Sequence, residues 1–179
     1  MTPEEYVQLK AFARQDGALL SLVWIGALVC YIQGLSNPLL GLVALILIVT
    51  SPLYAANRLR HFRDEARQGI ISFRRGYAYT VMTFFYAGLL LALVLYLYFA
   101  FIDKGYVLGV YTQMVNSEES QQFLRASGLA EQMKEGLQAL GSMRPIDYAL
   151  NMLTINIASG FLLGLPIAAL MQRQTVRKS

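Results

Sequence analysis

Eighteen consecutive residues without a charge, Ala18 to Leu35, set the terms on which this chain can fold. At 1.5 Å rise per residue they make a helix of roughly 27 Å, close to the ~30 Å thickness of bilayer hydrocarbon. Three more such runs follow: Leu39 to Ala56 after the turn signal Ser36-Asn37-Pro38, then Tyr77 to Ile102, then Tyr148 to Gln172. The last two are 26 and 25 residues long, enough to cross with tilt or with ends among the headgroups. Composition agrees, because 56% of the chain is hydrophobic and 15% charged, where a water-soluble domain carries about 25% charged residues. The same numbers exclude intrinsic disorder.

The expected fold class is an all-α membrane protein, a four-transmembrane-helix bundle with both termini inside and an external helical insert between spans three and four. Residues 1–17 read as a short amphipathic cytoplasmic helix, with Tyr6, Leu9, Phe12 and Ala13 toward the headgroups and Lys10 and Arg14 toward phosphates. The spans are placed at 18–35, 38–56, 77–102 and 146–172, with a link at 57–76, the insert at 103–145 and a basic tail at 173–179. Ala27-Leu28-Val29-Cys30 has the look of a lipoprotein signal. Val29 is too bulky for one, and Glu4, Glu5 and Asp16 stand where a basic region is needed.

Cation placement selects the orientation. Termini inside put Lys10, Arg14, Arg173, Arg177, Lys178 and all six arginines of the link on the cytoplasmic face, eleven of fifteen in all. This bias also accounts for the +4 net charge and the isoelectric point near 9.3, so no nucleic-acid ligand is called for. One cysteine and one histidine cannot assemble a metal site from the usual soft ligands, and no cofactor motif is present.

Two loops are long enough to carry function. The external one, Asp103 to Pro145, spans 43 residues. Ser117 before Glu118 and Glu119 predicts a capped helix start, and Phe123, Ala126, Ala130, Met133, Leu137 and Leu140 form one apolar helical stripe. Gly128 is expected to split it, with Ser127 capping the second piece and Gly141 ending it. It reads as a lid over the bundle ends or as a docking surface. The internal link holds Arg58, Arg60, Arg63, Arg67, Arg74 and Arg75. Arg60 with Asp64, and Asp64 with Arg67, lie at helical spacing, so span two is expected to continue until Gly69 stops it. Ser72 is placed to cap span three, and Arg74 and Arg75 to meet phosphates. The arginines are candidates for binding a partner or anionic lipid headgroups.

Gly69-Ile70-Ile71-Ser72-Phe73, followed by Gly76 and a long aromatic span ending in Phe101-Ile102-Asp103, resembles the bacterial membrane family known as domain of unknown function 4199. The similarity extends loosely over nearly the whole chain, and Arg74-Arg75 departs from the smaller residues common there. The resemblance implies a bacterial inner-membrane address and an accessory role beside a family-two glycosyltransferase.

The spans themselves lack ionisable groups, which coupled transport generally needs, and no nucleophile with a base or phosphate-binding loop is recognisable. Span four carries a packing row through Asn156, Gly160 and Gly164, and span one a similar row through Gly26, Cys30 and Gly34. These rows are expected to pack on each other or to mediate homo-oligomerisation or partner docking. Pro52 and Pro166 predict kinks. Tyr77 and Tyr79 are assigned to the inner aromatic belt. The reading reached is a non-enzymatic membrane accessory subunit that positions a partner protein. Its alternative is a small carrier or lipid-handling protein using Asn151, Asn156 and Ser159.

Overall fold

The computed structural model describes residues 2–173, and these are almost entirely helical. One compact unit comprises the chain up to Leu93 and from Leu150 onward, and a second comprises Val94–Ala149. The basic positions Arg177 and Lys178 lie outside the described residues.

Helix α1 (Pro3–Gly34) opens on a capping box: Thr2 Oγ1 accepts from Glu5 N at 3.2 Å, and Glu5 Oε2 accepts from Thr2 N at 2.9 Å. Nothing between Arg14 and Ser21 breaks the backbone pattern, so the surface helix expected over 1–17 and the first span are one continuous element. Leu9, Ala13, Gly17, Leu20, Trp24 and Ala27 recur every three or four residues and are all buried. Leu9 and Ala13 were expected to face headgroups; they extend the inward stripe of the span and pack against protein. Tyr6, Lys10 and Arg14 stay exposed.

Helix α2 (Pro38–His61) starts where Asn37 Oδ1 accepts from Leu39 N at 3.1 Å, with Pro38 in the first turn where a missing N–H costs nothing. It contains Pro52 and runs into a wider π-helical turn, Phe62–Ala66. The stop at Gly69 is present as left-handed backbone, φ +80°. Helix α3 (Phe73–Leu97) likewise ends in a π-helical turn, Tyr98–Ile102. Helix α7 (Pro145–Met171) contains Pro166. These four helices are long and apolar enough to cross a membrane.

The small-residue rows do not pack on each other. A Cβ placed on Gly160 would lie 2.7 Å from Phe84 Cβ, and one on Gly164 would lie 3.1 Å from the Tyr77 ring, so α7 presses on α3. Gly88 of α3 returns the contact, 2.9 Å from Asn156 Cβ by the same measure. In α1, a Cβ placed on Gly34 would lie 2.6 Å from Gly41 N of α2, while Gly26 has open space around it and Cys30 is a half-buried free thiol. Large rings on α3 fill the space over α7's glycines, which is why α3 and not α1 takes that face. Asn156, expected to bond across the contact, donates to the Met152 carbonyl of its own helix at 2.9 Å.

Within the second unit lie α4 (Tyr106–Val115), α5 (Glu118–Ser127) and α6 (Ala130–Ser142). Ser117 caps α5 by accepting from Ser120 N, and Gly128 ends it with φ +70°. Ser127 does not cap α6; its hydroxyl donates back to the Phe123 carbonyl at 2.8 Å, and α6 continues one residue past Gly141. Helix α4 was not anticipated. It is launched by Asp103, whose carboxylate accepts from Gly105 N at 3.0 Å and Val107 N at 3.1 Å.

Candidate functional site

The first unit concentrates its charged side chains where α1 begins, where α2 and α3 are joined, and where α7 ends. At the centre is Asp16, 1% exposed. Its Oδ1 accepts from Arg58 Nε at 2.6 Å, and its Oδ2 accepts from the Tyr79 hydroxyl. A carboxylate this deeply buried requires such partners, since desolvating it alone costs far more than one hydrogen bond returns. Tyr79 was assigned to an interfacial belt, but it is 0% exposed, stacked on Phe62 with centroids 5.0 Å apart; Phe12 lies 5.1 Å from Phe62, tilted by 53°. Tyr79 thereby joins the ion pair to an aromatic cluster with Phe62 and Phe12. About two turns further along the same pair of helices, Trp24 Nε1 donates to Ser51 Oγ at 2.7 Å, a second polar tie between α1 and α2.

Around this centre the link arginines are mostly spoken for. Glu5 binds two of them: Oε1 accepts from Arg67 Nη2 at 2.9 Å and Oε2 from Arg75 Nη2 at 2.5 Å. Arg63 is buried, grips Asp64 with Nε at 2.7 Å and Nη2 at 3.0 Å, and donates Nη1 to the Met171 carbonyl at 3.0 Å, closing the end of α7. Arg60 approaches Asp64 at 3.7 Å, as its spacing implied. The expected Asp64–Arg67 pair is absent because Arg67 has already left helical backbone, at φ −125°, and points to Glu5 instead. His61 pairs with Glu65 at 2.9 Å. Arg74 and Arg60 are the link arginines classed as exposed.

The Gly69–Phe73 stretch is a seam. Gly69 N donates to the Arg63 carbonyl at 2.9 Å, folding the chain back on the π-turn. Ile71, 1% exposed, exchanges both backbone hydrogen bonds with Arg173, at 3.0 and 2.9 Å. Ser72 stands just before α3 and its carbonyl accepts from Gly76 N at 3.0 Å; Phe73 stacks on Tyr77. Gly76 is buried, and a Cβ there would touch Leu59 and Ala168, at 3.3 and 3.5 Å. The motif thus ties the link to the end of the last helix.

The sequence model of the family described as Protein of unknown function (DUF4199) matches residues 17–173. This chain belongs to that family. The match begins next to Asp16 and ends at Arg173, so it covers the later half of α1 and all of α2, α3 and α7, and closes at the Ile71 bridge. No curated protein and no solved structure is detectably similar to the chain.

Sequence reasoning overlooked Asp16, Glu5 and Tyr79 as members of a site. Asp16 had one available signal: an acid on the face that continues span one's inward stripe. Among the described residues no group of three His, Cys, Asp or Glu is placed to hold a metal. The arrangement pairs charges between helices and fixes helix ends.

Proposed function

We propose that this DUF4199 member is a non-enzymatic, multi-pass subunit of the bacterial inner membrane that positions a partner protein, a membrane-surface family-two glycosyltransferase being the candidate. In this reading the charged end faces the cytoplasm, in line with the cation bias, and residues 103–145 face outward. The observation that supports it most is the mutual consumption of charge. Arg58, Arg63, Arg67 and Arg75 hold the bundle's own acids and carbonyls, so in this reading this end serves as a platform. Docking then falls to the outward arginines, Arg60 and Arg74. Replacing both with glutamine is expected to leave the folded protein intact while a stoichiometric companion is lost from mild-detergent isolates at native expression. A wild-type chain that comes out of its own membrane alone sinks the proposal.

The carrier reading has less to draw on from its polar row, since Asn151 is exposed, Ser159 is half-buried and Asn156 bonds within its own helix. Asp16 is the feature that still favours it, being a buried acid beside the span.

A further inference from the structure

We propose that Arg67 and Arg75 form a binding site for a phosphate group, in which Glu5 is the resident competitor. Two guanidiniums share a single carboxylate, leaving a net positive charge at the contact. Donors outnumber acceptors: Glu5 also spends Oε2 on the backbone N–H of Thr2, and Arg67 Nε is buried with no acceptor at all. An orphaned charged donor carries a penalty that a further acceptor oxygen would relieve. A phosphate monoester brings three terminal oxygens and up to two negative charges, and guanidinium forks match its geometry better than they match one carboxylate. The site is reachable, because the Glu5, Arg67 and Arg75 side chains are 26%, 20% and 26% exposed. Glu5 sits in the first turn of α1, held by the Thr2 capping box, so it can yield by fraying a single turn.

The ligand chemistry is a terminal phosphate group, supplied either by a lipid headgroup such as phosphatidate or by free phosphate. The inference deepens the reading above only for the lipid source, which needs this end at the membrane surface; the free-phosphate arm stands apart from it and from any partner.

The test uses the full chain in phosphatidylcholine nanodiscs. Inorganic phosphate is titrated by calorimetry, and retention of added phosphatidate is followed by native mass spectrometry. Removing the competitor in Glu5→Gln should tighten binding about tenfold, a change of about 1.4 kcal/mol, and Arg67→Gln with Arg75→Gln should abolish it. Retention of phosphatidate without a response to inorganic phosphate assigns the lipid source, and a response to inorganic phosphate assigns the free anion. Because a gain of affinity cannot arise from misfolding, Glu5→Gln keeps the test decisive even if the double variant is unstable. Binding of both probes no tighter in Glu5→Gln than in the wild-type chain overturns the proposal.

Discussion

The charged end of the four-helix unit and the insert use the same residue types in opposite ways. In the first, side chains reach far along the chain: Arg58 to Asp16 across 42 residues, Tyr79 to Asp16 across 63, Arg75 to Glu5 across 70, Arg63 to Met171 across 108. In the insert they stay close, with Asp103 serving positions two and four ahead, Ser117 and Ser120 three apart, and Arg144 gripping Asp147 three ahead. Local ties form with each helix as it folds, whereas distant ones exist only after the helices have met. Losing a local tie should therefore fray one helix end, and losing a distant one should unsettle the whole bundle.

The strongest way to break that comparison is Asp16→Ala. It leaves a mostly buried guanidinium and a fully buried phenol unpaired, so unfolding in mild detergent should show a loss of about 3 kcal/mol or more. Stability equal to the wild type would mean that the distant tie is dispensable. Replacing Asp16 and Arg58 together with leucine should recover much of that loss, since no charge is then stranded.

A middle-sized effect separates the two glycine rows. Gly160→Ala drives a methyl group to within 2.7 Å of Phe84 Cβ, and should cost about 1–3 kcal/mol through overpacking. Gly26→Ala meets open space, and should be neutral or stabilising by up to about 1 kcal/mol through helix propensity. Equal melting shifts for the two would show that α3 and α7 are not in close contact.

The smallest effects belong to the insert. Ser117→Ala should cost about 0.5–1 kcal/mol through loss of the cap, read as faster amide exchange confined to the first turn of α5. Arg144→Ala removes an exposed pair and should leave stability nearly unchanged. Global unfolding caused by either would erase the contrast.

The long helices were legible because uncharged runs of this length have few alternatives, and Gly69, Gly128 and the Asn37-Pro38 turn mark ends by local backbone preference. The charged end was legible as composition but not as pairing. Asp64 lies within a turn of Arg60, Arg63 and Arg67, and only the π-turn, with the departure of Arg67 from the helix, decides among them. Asp16 was hidden for another reason: hydropathy cuts the chain at a charge, so an acid two residues before an apolar run is filed with the solvent. Its neutralising partner sits on a different helix. Helix α4 was missed because Tyr106 to Tyr111 adjoins a long apolar span and contains Gly109, so it reads as the ragged end of that span.

The division of Asp16 and Arg58 between consecutive helices bears on how the molecule is made. As α1 emerges from the ribosome it carries an acid on its inward face, and the base that pairs with it there arrives only with the far half of α2. Just three residues separate the two helices, so the pair is delivered as a hairpin whose charges cancel on closure. A molecule arrested before that point bears a naked carboxylate beside its first greasy segment, a chemical record that its manufacture is incomplete.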